Sequence, residues 1–208
     1  MSTALIVIIL ANVLFSYKGF NDLMFFRKYD FHIGSIRNGD QVRMFSSAFL
    51  HADMTHLFFN MLTLFFFAPI VVAYLGELSF ILIYFSSLLF GNVLTLYLHK
   101  NNLNYRAIGA SGAVTGVLYS AILLEPEMTI NFFIPGYVFG ILYLLYSIYG
   151  MRAKNDNIGH TAHFGGAIGG YLFTIIKQPE MLTNNTFYVV ALAIPIVILF
   201  VMDRMGKL

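Results

Sequence analysis

Seven long apolar segments set the strongest limit on how this chain can fold. Each is long enough, or nearly so, for a helix that crosses a bilayer, which takes about 20 residues. Backbone groups in hydrocarbon must bond within their own segment, and no segment alternates as a barrel strand would. The chain is 59% hydrophobic and only 11% charged, whereas a soluble domain is about a quarter charged. We therefore predict an all-α, multi-pass membrane protein with segments at roughly 4–17, 57–75, 78–98, 111–124, 129–149, 161–176 and 187–202.

The rest of the composition indicates one membrane domain. No internal repeat or soluble domain interrupts the chain, so we interpret residues 1–208 as a single domain. The first segment has no basic region before it and no small-residue cleavage site after it, which favours a retained anchor over a signal peptide. The net charge of +2 gives no reason to expect a nucleic-acid partner, and the absence of cysteine excludes disulfides and thiolate metal sites.

The fourth segment, Ser111 to Leu124, is too short to cross a bilayer. Its 14 residues give a helix of about 21 Å, against a hydrocarbon core of about 30 Å. The preceding stretch, NNLNYRAIGA, is polar, and irregular backbone within a membrane must be covered by protein or face water. We therefore expect a loop that dips into the membrane and places Ser111 at the floor of a water-filled cavity.

Four polar residues stand within or at the start of apolar segments: His56, Asn60, Ser111 and His163. Such groups cost a few kcal/mol or more in a membrane, which makes each of them a functional candidate. His56 and Asn60 are four residues apart and share a helix face. They can form hydrogen bonds between helices or act as two donors that hold a developing oxyanion, and the sequence leaves both interpretations open.

Glycines at four-residue spacing follow both the serine and the histidine: Gly112 and Gly116, then Gly166 and Gly170. Small residues at this spacing let two helices approach closely. Either pattern alone is typical of plain packing. Together they predict a contact that brings Ser111 Oγ within hydrogen-bond reach of His163, whose imidazole would take the serine proton and activate the hydroxyl. We therefore predict a serine–histidine dyad.

Other chemistries fit the same residues less well. No third member of a triad is obvious, since Asp156 lies in a polar loop before His163. His160 and His163 make a metal pair or a haem site an alternative, but the zinc-protease motif H-E-x-x-H and a carboxylate cluster are both absent, so we predict no metal and no cofactor. A transporter or channel would need polar residues spread through the bundle, or broken helices in paired repeats.

Three separated motifs resemble those of the rhomboid intramembrane serine proteases: HADMTHLFFN (51–60), GASG (109–112) and AHFGGAIGG (162–170). Each is weak alone, but in this order on successive membrane segments they are highly specific. The resemblance covers about residues 43–171 and implies that Ser111 is the nucleophile and His163 the general base. It implies that His56 and Asn60 stabilise the oxyanion with the Ser111 backbone N–H, and that Gly109 and the neighbouring glycines support the nucleophile.

The resemblance also implies a fold and a substrate class. The fold would be a six-helix bundle around the short serine helix, with its core at about 4–177 and an additional C-terminal transmembrane helix at about 187–202. Its cavity would open to the non-cytoplasmic side of a bacterial inner membrane. The substrates would be transmembrane-helix proteins, cut near the membrane-exposed end where the helix unwinds. The alternative is a catalytically silent relative that binds transmembrane helices, although such relatives usually lose the serine or the histidine.

Some positions depart from the family pattern. Thr115 stands one turn after the serine, where the family usually has an aromatic residue packed on the catalytic histidine, and Tyr119 follows a further turn along. Val42 precedes Arg43 where many members have tryptophan, and Val72 stands where many have a glutamate that braces the cavity loops. We expect these departures to affect the rate and the orientation of the histidine and to leave the chemistry intact.

The basic residues conflict with the implied orientation. Of the twelve Lys and Arg, most fall in loops that this topology puts outside: Lys18, Arg27, Lys28, Arg37, Arg43, Lys100, Arg106, Arg152 and Lys154. Short cytoplasmic loops normally carry the excess of positive charge. The charge distribution alone therefore points the cavity towards the cytoplasm, opposite to the resemblance.

Overall fold

A computed structural model describes residues 2–130, 133–153 and 158–208. The described part is mainly helical. Its helices are, in chain order, α1 (Thr3–Asn21), α2 (Leu23–Tyr29), α3 (Ile33–Arg37), α4 (Arg43–Ser46), α5 (Met54–Leu75), α6 (Glu77–Leu98), α7 (Ser111–Leu124), α8 (Gly136–Ala153), α9 (His160–Lys177), α10 (Met181–Asn184) and α11 (Thr186–Arg204). One turn of 3₁₀ helix covers Ser47–Phe49, and four two-residue strands are β1 (Phe31–His32), β2 (Arg106–Ala107), β3 (Thr129–Ile130) and β4 (Ile134–Pro135).

The seven predicted segments correspond to α1, α5, α6, α7, α8, α9 and α11, so the predicted all-α membrane fold is confirmed. Four of the described helices, α1, α5, α6 and α11, are long and apolar enough by themselves to cross a membrane. Large apolar side chains project from the outer faces of the bundle; Phe58, Phe59 and Phe66 are each about 60% exposed. In water such apolar faces would promote aggregation, whereas the acyl chains of a bilayer cover them.

The predicted start of the fifth segment at Thr129 is wrong, because the helix begins at Gly136. Thr129 pairs with Pro135 and Ile130 with Ile134, so β3 and β4 form a small antiparallel hairpin before the helix. Residues 131–132, which also belonged to that prediction, lie outside the described residues. Proline disfavours helical geometry in the residue before it, which places the helix boundary directly after Pro135. In contrast, α11 continues through Pro195 without a break.

The short helix α7 forms the centre of the bundle, since every residue from Gly112 to Leu124 is buried. Helix α9 packs against it so closely that the backbones touch. A Cβ on Gly166 would overlap the Gly112 carbonyl oxygen, and a Cβ on Gly170 would overlap that of Gly116. We call these four glycines the glycine seam. Helix α6 contacts α9 in the same way, because a Cβ on Gly169 would lie 2.8 Å from the Ser87 Cα. The short helix is therefore surrounded by protein along its length.

The link between α1 and α5 is an ordered cap on one end of the bundle. Its strand β1 pairs with β2 in the loop before α7, with Phe31 opposite Ala107 and His32 opposite Arg106. Asp30, only 1% exposed, accepts hydrogen bonds from Arg43 Nη1 (2.7 Å) and from Arg106 Nη1 (2.7 and 2.9 Å). The link and the loop before α7 therefore lie on the same side of the bundle and hold each other in place.

Candidate active site

A cavity of about 1410 Å³ lies beneath this cap. The side chains that sequence analysis selected, Ser111, His163, His56 and Asn60, all line it, and so do two that it did not select as site residues, Thr115 and Tyr143. These residues come from four helices: α5, α7, α8 and α9. The cavity therefore brings together all four polar residues that stand out in the apolar segments.

Ser111 is the first residue of α7, two residues after Gly109, whose backbone conformation favours glycine. Gly109 has a φ of +116°, and its N–H donates to the Ser47 carbonyl at 3.0 Å. A Cβ on Gly109 would lie 2.7 Å from the His56 Cε1 and 3.7 Å from Ser111 Oγ. The hydroxyl and the imidazole of His56 thus border the same small space, which a side chain at position 109 would fill.

His163 stands in the first turn of α9, where its N–H donates to the Gly159 carbonyl at 3.1 Å. The residue before it, Ala162, packs on the residue after Ser111. A Cβ on Gly112 would lie 3.1 Å from the Ala162 carbonyl oxygen. The tight contact between the two helices thereby carries both Ser111 and His163 to the cavity wall.

The aromatic neighbour of His163 comes from α8. Tyr143 Oη lies 3.0 Å from His163 Nδ1, and the two rings stack with centroids 6.1 Å apart and planes 18° apart. Tyr143 Oη also lies 3.1 Å from Thr115 Oγ1. Sequence analysis did not single out Tyr143, because it is one of 13 tyrosines and nothing in its spacing connects it to the histidine. Tyr119 takes another role, since its hydroxyl lies 3.3 Å from each of the Gly140 and Leu192 carbonyl oxygens.

His56 and Asn60 occupy the first two turns of α5. Asp53 caps this helix by accepting the His56 N–H at 2.8 Å. The His56 Nδ1 accepts the Ala52 N–H at 3.4 Å, which leaves the ring proton of the neutral form on Nε2. Asn60 Nδ2 donates to the His56 carbonyl at 2.9 Å and has a second N–H. The amide and the imidazole are therefore donors on one face at the cavity wall.

His51, in the loop before α5, is completely buried beside the site. Ser16 Oγ donates its proton to the Phe49 carbonyl (3.0 Å) and so accepts from His51 Nδ1 (2.8 Å), while His51 Nε2 accepts the Ala110 N–H (3.4 Å). Burial, reinforced by His56, lowers the pKa of His51 to about 3. The ring is therefore neutral and connects α1 to the residue before Ser111.

The described residues contain no group of three or more His, Asp or Glu side chains placed to hold a metal ion. His160 is buried, and a Cβ on Gly150 would overlap its ring, which also contacts Tyr146 edge to face. Its environment is thus formed by packing. Asp156, considered above as a third member, lies outside the described residues.

Comparison with known proteins assigns the chain. A sequence model of the Rhomboid domain matches residues 38–180. The chain belongs to the rhomboid family. It is 33% identical over 149 residues to the rhomboid-family protein YdcA of Bacillus subtilis, 28% over 181 residues to the mitochondrial RHOMBOID-like protein 12 of Arabidopsis thaliana, and 29% over 136 residues to the rhomboid protease GluP of Bacillus subtilis. The matches cover 68%, 78% and 65% of this chain and 69%, 54% and 26% of those proteins.

Family membership supports an intramembrane serine protease in general terms, since rhomboid proteases act on transmembrane substrates within a membrane. Together with the apolar helices, it makes the chain an integral, multi-pass membrane protein. The matched region contains the cap from residue 38 onwards and helices α5 to α9, and so it includes all six side chains named above at the cavity wall.

Proposed function

We propose that this chain is a serine endopeptidase that hydrolyses peptide bonds in or near transmembrane segments with a dyad of Ser111 and His163. One observation carries the proposal: the two residues line one cavity at the contact where Gly112 packs on Ala162. A serine hydroxyl is a weak nucleophile unless a neighbouring base takes its proton. The contact between α7 and α9 supplies that base from the adjacent helix.

In the proposed acylation step, His163 Nε2 takes the Ser111 Oγ proton as Oγ attacks the carbonyl carbon of the substrate. The tetrahedral intermediate carries its negative charge on the former carbonyl oxygen. The imidazolium then gives the proton to the leaving amine nitrogen, the C–N bond breaks, and an acyl-enzyme remains on Ser111. Water attacks this ester in the second half, with its proton passing through His163.

The developing oxyanion would be held by donors already present at the cavity wall. The first N–H groups of a helix have no partner within the helix, and the Ser111 N–H is the first of α7. His56 Nε2–H and the second N–H of Asn60 are the side-chain donors on the facing helix. Removing one such donor typically costs about 10²–10³ in kcat. Gly109 leaves the space between His56 and Ser111 open for the substrate carbonyl.

The proposed substrates are transmembrane helices that unwind where they enter the cavity, because an intact helix keeps its carbonyl groups in internal hydrogen bonds. The cap, the loop before α7 and the start of α9 lie at the same end of the bundle. We assign this end to the non-cytoplasmic side of a bacterial inner membrane, against the loop charges. Tags at each terminus, read for accessibility in sealed vesicles, test this assignment; a cytoplasmic cap would overturn it.

The dyad is tested with Ser111→Ala and His163→Ala in vesicles that contain a model transmembrane substrate. Each variant should lose cleavage, and Ser111→Ala should also lose covalent labelling by a fluorophosphonate. Ser86→Ala on α6, whose hydroxyl donates to the Ile83 carbonyl of its own helix, is the matched control and should cleave and label like the wild type. Thermal unfolding of all variants verifies that each is folded.

Full cleavage by either dyad variant would overturn the proposal. A folded wild-type protein that binds the substrate, cleaves none and takes no label would instead identify the chain as a catalytically silent helix-binding relative.

A further inference from the structure

Three side chains from three different helices form a continuous polar row that ends at the proposed general base. Thr115 Oγ1 on α7 lies 3.1 Å from Tyr143 Oη on α8, which lies 3.0 Å from His163 Nδ1 on α9. Thr115 is buried, with 3% of its surface exposed. The serine mechanism does not use the Thr115 and Tyr143 hydroxyls, so the row needs a separate explanation.

Proton counting limits this row to two arrangements. A phenol has one proton, so Tyr143 donates either to His163 Nδ1 or to Thr115 Oγ1. If it donates to His163, neutral imidazole carries its own proton on Nε2 and cannot accept one there. If it donates to Thr115, its oxygen accepts the His163 Nδ1–H, and the lone pair of the neutral ring is on Nε2. Only the second arrangement puts the basic lone pair on Nε2, the ring nitrogen that does not contact Tyr143.

We infer that Tyr143, with Thr115 as the acceptor of its proton, is a positioning residue that fixes His163 in the Nδ1–H tautomer and so keeps the basic lone pair on Nε2. The inference rests on the proposed function, because it assigns a purpose to the lone pair on Nε2. It also gives the imidazolium formed during catalysis an acceptor for its Nδ1–H. In serine hydrolases an orienting group on the far ring nitrogen has this task.

The ring of Tyr143 is itself held in a fixed orientation. Phe139, one turn earlier in α8, stacks on it with planes 17° apart and centroids 6.0 Å apart. The row of rings therefore runs from Phe139 through Tyr143 to His163 in nearly parallel planes. Tyr119 adds support from α7, because its hydroxyl reaches carbonyl oxygens of both α8 and α11. The additional C-terminal helix thus helps to hold the helix that carries Tyr143.

Position 115 links this row to the departure from the family pattern. An aromatic residue one turn after the serine would reach the histidine from α7, the helix of the serine itself. Here the residue at that place is a threonine, and the aromatic ring arrives from α8 with a hydroxyl that needs an acceptor. The small Thr115 side chain leaves room for the Tyr143 ring and provides that acceptor, so the two residues form one unit.

The test compares Tyr143→Phe, Thr115→Val and Thr115→Ser in the full-length protein. Tyr143→Phe keeps the stacked ring and removes the hydroxyl; Thr115→Val keeps the shape and removes the acceptor; Thr115→Ser keeps the acceptor. We expect kcat to fall about tenfold in the first two with KM unchanged, which is less than the 10²–10⁴-fold contribution of a general base. Thr115→Ser should retain most of the activity. Tyr149→Phe, an exposed position on the same helix, is the matched control and should be neutral.

A second measurement reads the tautomer without any cleavage. With ¹⁵N-labelled histidine at alkaline pH, the wild type should show a His163 Nδ1 that carries the proton and an Nε2 that does not. His163→Gln assigns the signals among the six histidines. Tyr143→Phe should move the signals towards the Nε2–H tautomer, whereas a purely structural role of Tyr143 would leave them unchanged.

The outcomes separate the two proposals. Wild-type kcat in Tyr143→Phe, an unchanged tautomer in that variant, or an Nε2–H tautomer in the wild type would each overturn the role of Tyr143 and leave the Ser111 dyad standing. Full cleavage by Ser111→Ala would overturn the dyad, while the tautomer of His163 would still report on its contact with Tyr143.

Discussion

The two faces of α7 are built in opposite ways. Towards α9, the glycine seam brings backbone against backbone, because a Cβ on Gly166 or Gly170 would overlap a carbonyl oxygen of α7. Towards α8, the hydroxyls of Thr115 and Tyr143 meet at the cavity wall. The loop before α7 is held to the cap by Asp30, which pairs with Arg43 and Arg106. The seam determines how far apart the helices are, and the polar contacts determine how side chains and loops are oriented. Substitutions that add volume should therefore disrupt the glycine seam. Substitutions that remove a charge or a proton donor should disrupt the polar contacts.

The largest effect is expected from adding volume to the seam. In Gly166→Ala the new Cβ would overlap the Gly112 carbonyl oxygen, which is backbone and cannot rotate away. Alanine favours helix by about 1 kcal/mol over glycine, but overpacking of this kind typically costs about 1–3 kcal/mol or more. We expect the free energy of unfolding, measured in mixed micelles, to fall by about 2 kcal/mol net.

Gly159→Ala is the matched control, because its Cβ would make only an ordinary 3.9 Å contact with the Ala162 Cβ. Its stability should stay within about 0.5 kcal/mol of the wild type, as is usual for substitutions outside packed sites. Equal losses in the two variants would show that the seam is no tighter than the rest of α9, and the comparison of the two faces would fail.

This difference explains what the sequence could predict. Hydropathy locates seven membrane segments because the bilayer imposes their length and apolar character, and small residues at four-residue spacing show up in any single sequence. The start of α8 was missed because the β-branched residues Thr129 and Ile130 suit a strand as well as a helix, and their pairing with Ile134 and Pro135 decides between the two. Boundaries decided by such contacts are not visible in hydropathy.

The polar contacts were missed for a related reason. Tyr143 meets Thr115 across 28 positions of sequence, and Arg106 meets Asp30 across 76. A contact between residues so far apart in the sequence produces neither a periodic pattern nor a local motif that a single sequence would reveal. Ser111 and His163 were selected as candidates because polar groups are costly in lipid and therefore conspicuous. Tyrosine is common at membrane interfaces, so a tyrosine in an apolar segment does not stand out as a functional candidate.

A smaller loss is expected from Asp30→Asn in the cap. Leaving a buried charge without its partner can cost about 3–5 kcal/mol. Here Arg43 keeps Asp40 and the Arg27 carbonyl as partners, and Arg106 is 37% exposed and can turn to water. We therefore expect the free energy of unfolding to fall by about 1.5 kcal/mol.

Labelling by fluorophosphonate should also slow in Asp30→Asn, because the loop that leads to Ser111 loses its attachment to the cap. Asp22→Asn, an exposed cap of α2, serves as the control for loss of a carboxylate and should label at the wild-type rate. Unchanged labelling in Asp30→Asn would mean that the cap does not position the loop before α7.

The smallest expected effect, measured per pH unit, is the contribution of His51 to the free energy of unfolding. Burial lowers the pKa of His51 to about 3 in the folded state, while an unfolded histidine has a pKa of about 6.5. Below pH 6.5 the unfolded chain therefore binds a proton that the folded chain rejects. The stabilisation from neutral His51 is complete above pH 6.5 and is lost as the pH falls towards 3, by about 1.4 kcal/mol per pH unit.

Unfolding of the wild type and of His51→Gln between pH 7 and pH 5 measures this contribution. Glutamine can donate to Ser16 and accept from Ala110 as His51 does, but it does not titrate. His32, whose pKa burial also lowers, remains in both proteins, so the difference between the two slopes isolates His51. The variant should lose less stability on acidification than the wild type. Parallel slopes would mean that His51 already takes up a proton in the folded protein, and the polar side of α7 would then be as insensitive to pH as the glycine seam.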